Sequence, residues 1–352
     1  MTQTPETLDV VGQTFDLSVV IPAYGRPLEL RELLYSIHSQ TVLPREIVIC
    51  EDNSADREKI RAIALEWQDR FDAQGCFLRY YDNVRNLGYD GNVREVIRRA
   101  TSRWAMLMGN DDVLLYDCIE TAQAYICSGH EYPMISRAFV RFDKDAERPI
   151  GLSRMANADT SFHVGDDSPR AIVRASGFVS GLILDRSWAD SLATESYDGT
   201  LYYQLYLAAV AYCAGGIGYI AKPIVAGRSG NAPLFGTAEA EKGVHIPGSY
   251  SPGGRAKMWA SILRIVDDVG KKYNTDLVSQ VKSELEIQKS FHVFEMYVGA
   301  DSQILAELRR ELTQIGLFNH PVPRLLYVIN QILGKRARYF YALVRRTLQR
   351  KD

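Results

Sequence analysis

The chain has 352 residues, 46% of them apolar and 24% charged, which is enough for one large or two smaller globular domains with a sizeable core. A formal net charge of −2 argues against a general nucleic-acid binder. The five cysteines (Cys50, Cys76, Cys118, Cys127 and Cys213) are odd in number and lack metal-ligand spacing, so no disulfide framework is expected and the compartment reads as reducing.

Residues 1–16 are polar and acidic, with no basic or apolar signal region, and are expected to be a flexible tail. No run reaches the roughly 18 apolar residues of a spanning helix. From Leu17 the pattern alternates. "LSVVIP" reads as a strand ended by Pro22. "PLELRELLYSIHSQ" reads as a helix with Leu30, Leu33, Leu34 and Ile37 on one face. "EIVIC", "FLRYYD" and "WAMLM" read as further strands, separated by the helices "DREKIRAIALEWQDRF" and "GNVREVIRRAT". This rhythm predicts a mostly parallel α/β sheet whose ligands sit beyond the carboxyl ends of its strands. The segments at those ends are "AYGRP", "EDNSAD", "NVRNLGYDGN" and "GNDD". Over 116–227, "PMISRAFVRFD", "SGLILDR" and "GYIAKPIVAG" read as strands, and "TLYYQLYLAAVAYCAG" as a helix ended by Gly215-Gly216. Residues 228–254, rich in Gly, Pro and Ser, read as a long functional loop. From Arg255 onward the chain reads as helical.

The adjacent carboxylates of Asp111 and Asp112 repel unless a cation stands near them. A divalent ion with oxygen ligands shared with a substrate diphosphate is one solution. An Asx turn, or the cap of a helix opening at "DDVLLYDCIE", is the other. Asp90 and Asn92 open a helix whose amino terminus faces the same edge, a favourable place for phosphate.

Residues 17–120 resemble family-two glycosyltransferases, which have the GT-A fold. The motif residues are Pro22, Tyr24 and Arg26; Ser36, Gln40 and Thr41; Glu51-Asp52-Asn53-Ser54; Asn86, Gly88 and Asn92; and Asn110-Asp111-Asp112. "GNDD" is similar to the abequosyltransferase-like branch of O-antigen assembly. The resemblance implies a GT-A domain over 17–254, with a nucleotide-sugar half (17–115) and an acceptor half (116–254), then a helical extension over 255–352. It implies donor contacts from Pro22, Tyr24, Arg26, Glu51, Asp52, Asn86, Asp90, Asn92, Asn110 and Asp111, with Arg228 or His245 reaching the diphosphate from the loop. Asp112, then Asp111, is the expected ligand of Mn²⁺ or Mg²⁺; Asn110 replaces the first acid of the family's metal motif. The family's catalytic base precedes a helix downstream. Its Glu-Asp pair is missing here, and Asp198, then Glu195, is the substitute; a plain helix cap explains Asp198 equally. Gly181 and Trp188 are acceptor-side candidates, Trp188 with a core role as the alternative.

Residues 320–352 hold eight Lys/Arg against one acid, about +7, which leaves the remainder near −9. Interleaved Leu, Ile, Tyr and Phe make this a candidate for lying on an anionic membrane surface; core packing or an oligomer contact is the alternative. The resulting expectation is a metal-dependent inverting glycosyltransferase on the cytoplasmic face of the membrane. It takes a nucleotide-sugar donor and a saccharide or polyprenyl-diphosphate-linked acceptor in bacterial surface-polysaccharide assembly. A silent sugar-binding relative and a sugar-phosphate nucleotidyltransferase are the rivals, the latter disfavoured because "AYGRPLEL" is too short and glycine-poor.

Overall fold

The computed structural model describes residues 14–165, 168–247 and 250–349. Residues 1–13 of the expected tail lie outside these, while 14–16 already belong to the first strand. The first half reads β1 (Thr14–Ala23), α1 (Pro27–His38), β2 (Leu43–Glu51), α2 (Arg57–Asp72), β3 (Phe77–Asp82), α3 (Gly88–Arg99) and β4 (Trp104–Leu107). Then follow β5 (Val113–Leu114), α4 (Cys118–Cys127), β6 (Met134–Phe142), β7 (Gly151–Ser153), β8 (Thr160–Phe162), α5 (Arg170–Ser176), β9 (Leu182–Asp185), α6 (Arg186–Ser191), α7 (Tyr203–Ala214) and β10 (Ile217–Arg228). The rest is helical: α8 (Pro252–Tyr273), α9 (Val278–Glu284), a π turn (Leu285–Lys289), α10 (Ser290–Met296), α11 (Ser302–Gln314), α12 (Pro321–Leu333) and α13 (Ala337–Gln349).

The sheet runs β3-β2-β1-β4-β9-β6-β10-β5. Strands β3, β2, β1 and β4 are mutually parallel, as the alternating pattern predicts. β9 is antiparallel to both β4 and β6, and β6 pairs parallel with β10. Alternation along each strand sends side chains to two helical layers. Leu17, Val19 and Ile21 of β1 pack with α1, α2 and α4 in one core. Val20 and Val48 face the other core, with α3 and α7, and that core continues without a break through α8 to Tyr341 of α13. The helical extension therefore shares its core with the sheet.

The two alternatives for Asp111-Asp112 separate here. The residues after them form β5, antiparallel to the end of β10, and α4 opens only at Cys118 with Asp117 at its cap. Neither Asp111 nor Asp112 caps a helix. The turn from β1 into α1 is sharp: Gly25 (φ 64°) and Arg26 (φ 59°) are both left-handed, and Pro27 starts the helix.

Asp90 does something the sequence did not announce. Its buried carboxylate accepts from the backbone N–H of Leu201 and of Tyr203, both at 2.9 Å, and so caps α7 across the core. Leu201 sits at φ 65°, a strained setting for a γ-branched residue that this carboxylate holds in place. Burial pushes the Asp90 pKa from 3.8 up to about 7, against the pull of the two N–H donors. The folded state thus binds this proton more tightly than the unfolded chain does, so stability falls as pH rises from about 4 to 7. Asp90→Asn removes that component: urea unfolding between pH 5 and pH 8 should show a shallower decline than the parent, and an unchanged slope refutes the assignment.

Candidate functional site

A cleft of about 490 Å³ opens at the carboxyl edge of the sheet, where α/β sheets place their ligands. Strand β1 contributes Pro22 and, just beyond its end, Tyr24 and Arg26. Asp52 follows β2, Asn86 and Asn92 come from the start of α3, and Asn110, Asp111 and Asp112 follow β4. Arg228, the last residue of β10, closes the far side.

The two acids are held apart by different partners. Asp112 is buried; its Oδ1 accepts from the Arg228 N–H (2.8 Å) and its Oδ2 from the Ser180 hydroxyl. Asp111 Oδ2 accepts from Arg26 and from Asn231 Nδ2 (2.9 Å). Burial, then the Asp111 charge, raises the Asp112 pKa. A β-carbon on Gly109 would stand 3.1 Å from Asp112 Oδ2 and 3.4 Å from Asp111 Oδ1. One oxygen of each carboxylate therefore converges on a space that glycine leaves open. Hard oxygen donors in this arrangement fit Mg²⁺ or Mn²⁺, which take one or two carboxylates and complete their shell with water and phosphate. No cluster of three or more His, Cys, Asp or Glu occurs among the described residues.

The other cleft residues are braced. Asn110 Nδ2 donates to the Gly25 carbonyl (2.7 Å), fixing the left-handed turn after β1. Asp52 accepts from Leu87 N (2.8 Å), Gly88 N (2.9 Å) and Asn83 (2.8 Å), and burial lifts its pKa to about 6. The Tyr89 N–H goes to Glu241 (2.8 Å). Protein carboxylates thus occupy the amino terminus of α3, where the sequence suggested phosphate. Asn92 bonds Asn83 and the Cys50 carbonyl beneath it. Tyr24 and Asn86 both reach Thr237 Oγ1, each at 3.0 Å.

Several expected residues lie elsewhere. Glu51 is fully buried and accepts from Ser54 N at 3.1 and 3.3 Å, and Asp90 faces α7. Asp198, the expected base, forms a two-pronged ion pair with Arg94 (2.6 and 3.0 Å) and does not line the cleft. Glu195 is 88% exposed on the outer side of the same arginine. His245 is buried, with Nε2 3.1 Å from the Gly199 carbonyl and its ring edge against Phe235; it pins the loop instead of reaching the cleft. Trp188 lies in α6 against the core, its N–H capped by Asp185. Gly181 (φ 86°) lets the backbone pass Arg137 and Val225, while Gly177, Phe178 and Val179 form the floor.

Residues missed in the sequence complete the walls. Glu241 joins the 228–254 loop to α3, taking Gly236 N (2.6 Å) as well as Tyr89 N. Arg137 is a buried guanidinium below the floor; it donates to the Phe178 carbonyl (2.8 Å) and stacks on Phe139 and Phe178, and burial lowers its pKa to about 9. Tyr202 and Arg255 line the acceptor side. A carboxylate in a glycine-rich loop and an arginine on a helix carry no local signal.

A parallel half-sheet with paired carboxylates at its carboxyl edge is the architecture of the GT-A class, and the comparisons agree on the fold. Residues 18–177 match the family described as Glycosyl transferase family 2. Among curated proteins, abequosyltransferase RfbV of Salmonella typhimurium is 25% identical over 226 residues, 61% of this chain and 67% of the relative. S. aureus TarS 1–349, solved with UDP-GlcNAc, superposes with a TM-score of 0.60 at 13% identity, covering 92% of this chain and 91% of that one. The mannosyltransferase PcManGT of Pyrobaculum calidifontis, solved with GDP-Man and Mn²⁺, superposes at 0.50 with 13% identity, covering 95% of this chain and 89% of that one. Over residues 18–177 the chain is therefore similar to glycosyltransferase family 2, and its fold is that of the GT-A glycosyltransferases.

Glu241 is the hinge pin of the loop over this cleft. Glu241→Ala removes two charge-assisted hydrogen bonds, so tryptic cleavage at Lys242 should accelerate roughly tenfold or more while far-ultraviolet circular dichroism stays unchanged. Equal cleavage rates in the two proteins refute that role.

Proposed function

We propose that this chain transfers a sugar from a nucleoside-diphosphate donor to a saccharide or lipid-linked acceptor in bacterial surface-polysaccharide assembly, using Mn²⁺ or Mg²⁺. The observation that carries this reading is the convergence of Asp111 Oδ1 and Asp112 Oδ2 on the open face of Gly109. A divalent cation bound there supplies the charge neutralisation that lets a nucleoside diphosphate leave. Asp112 and Asp111 hold it. Arg228, fixed by the Asp111 carbonyl (2.9 Å) and stacked on Phe142, adds a fixed positive charge at the same corner. Pro22 and Tyr24 form the nucleoside wall with Asn86, and Thr237 of the loop closes over them.

The reading includes inversion at the anomeric carbon, as the family resemblance implies. Four carboxylates line the cleft: Asp52, Asp111, Asp112 and Glu241. Asp52 and Glu241 are engaged by backbone N–H donors, and Asp111 and Asp112 are assigned to the cation. A single displacement needs a base for the acceptor hydroxyl; Asp198 could serve only on release from its ion pair with Arg94.

A silent sugar-binding relative has one observation in its favour, the ion pair between Arg26 and Asp111, which competes with a cation for one ligand oxygen. Hydrolysis of a nucleotide-sugar panel separates the two. The transferase reading expects turnover with Mn²⁺, loss on chelation, and a fall of about 100-fold or more in Asp112→Ala, the scale of a missing transition-state charge contact. Gly109→Ala, which fills the convergence point, should lose the Mn²⁺-dependent thermal shift with a nucleoside diphosphate yet keep the fold. Absence of turnover with every donor in the panel favours the binding relative.

The tail extends the proposal to the inner face of the cytoplasmic membrane. No helix among the described residues is long and apolar enough to cross a membrane. α12 and α13 bury Leu326, Tyr327, Asn330 and Tyr341 in the core, so one face packs on the protein. Leu325, Val328, Ile332, Tyr339 and Leu343 stay exposed beside exposed Lys335, Arg336 and Arg338. Apolar groups with cations on one surface suit an anionic headgroup layer, at about 1 kcal/mol per cation. Leu325, Ile332 and Leu343 changed together to Ser should abolish flotation with anionic liposomes and leave hydrolysis intact; unchanged flotation removes the membrane assignment.

A further inference from the structure

A second cavity of about 180 Å³ lies between α5, α7, α8, the π turn and α10. It shares Gly177, Tyr202 and Arg255 with the main cleft, so the two adjoin. Its walls are apolar, with Trp259, Ile262 and Leu285 on one side and Val293 and Met296 on the other. Its polar lining is Tyr202, His292 and the cations Arg255 and Lys289, with no carboxylate. Glu284, the acid at the end of α9, is engaged by Arg174 at 2.8 and 3.0 Å. Arg255 Nε is buried without a hydrogen-bond partner, and Lys289 makes no hydrogen bond or ion pair among the described residues.

The helix around Lys289 is also irregular. Residues 278–296 form one continuous helix broken by a π turn, in which Ser290 N–H returns to the Leu285 carbonyl. Such turns cost regularity and recur at functional sites. This one ends on Lys289. Burial lowers the pKa of that ammonium, opposed in part by the charge of Glu284, which is itself paired with Arg174, so a further anion beside it offsets an existing cost.

Cations without acids, set in an apolar slot, suit an anion joined to a hydrocarbon chain and not a bare sugar, whose hydroxyls need acceptors. We propose that this cavity is an acceptor subsite for a polyprenyl-type lipid phosphate. Lys289 and Arg255 take the phosphate, and Trp259, Ile262, Val293 and Met296 hold the first carbons of the chain. The inference rests on the transferase reading of the adjoining cleft and names the lipid end of its acceptor. Met296 is 49% exposed, so the slot reaches the surface there. α10 packs against the buried face of α12, with Asn330 Nδ2 donating to the Phe294 carbonyl (2.6 Å).

The test uses farnesyl diphosphate as a soluble probe on the full chain, without divalent cation, read by the fluorescence of Trp259 and by calorimetry. Saturable binding is expected, at least about tenfold tighter than farnesol or inorganic pyrophosphate alone, and retained under saturating nucleoside diphosphate. Lys289→Met should weaken it about tenfold or more, with Lys289→Arg restoring it. The thermal shift given by Mn²⁺ and nucleoside diphosphate should be unaffected in Lys289→Met, which also verifies that the variant folds. The proposal is overturned if Lys289→Met binds farnesyl diphosphate like the parent, if nucleoside diphosphate displaces it, or if pyrophosphate alone binds as tightly. Loss of the transferase reading would appear instead as absent donor hydrolysis, with farnesyl diphosphate binding unaffected.

Discussion

Two negative charges sharing one turn at the end of a buried strand are the constraint around which this molecule is arranged. Asp111 and Asp112 cannot both remain ionised in a low-dielectric setting without compensation. The fold answers from four directions: Arg26 from the turn after β1, Asn231 from the long loop, Ser180 from the turn before β9, and the backbone of Arg228 at the end of β10. Each comes from a distant part of the sequence. The sheet order brings them together, because β1, β4 and β10 end at this edge and the antiparallel β9 begins there. Their geometry brings one oxygen of each carboxylate, together with the Ser180 hydroxyl, to the face of Gly109 that a side chain would fill.

A second use of carboxylates surrounds the first. Asp52 and Glu241 take the amino terminus of α3, and Asp90 takes that of α7. Helix amino termini attract anions, and here the protein supplies the anions itself. The helices that frame the cleft are tied to one another and to the loop. Glu241 joins two of these parts, taking Tyr89 N at the start of α3 and Gly236 N in the loop.

How much of this was legible depends on whether a feature is local. The strands and helices through β4 follow from period-2 and period-3.6 patterning, and Leu30, Leu33, Leu34 and Ile37 are buried as their spacing implies. Asp111 and Asp112 were visible because an acid pair interrupting an apolar run is costly. For Asp198 the sequence shows only half of the setting: an acid shortly before a helix is a local pattern, and nothing near it in sequence reveals its ion pair with Arg94. Asp90 was placed on the correct helix but assigned to the wrong partner, since its true partners are the N–H groups of Leu201 and Tyr203, more than a hundred positions on. His245 and Trp188 are ordinary packing residues. Arg255 and Lys289 were unreadable for a different reason: each is one cation among many on an amphipathic helix, and only the space beside it distinguishes it.

The unbroken core from β1 to α13 has a further meaning for how such an enzyme diversifies. Where recognition elements sit in a detachable module, new specificities arise by exchanging whole pieces. Here Val20 of the sheet and Tyr341 near the carboxyl terminus belong to the same packed interior. A graft of the last hundred residues from a relative would have to match the interior of its host side chain by side chain. Innovation on the acceptor side is therefore confined to gradual repacking, one compensated substitution at a time.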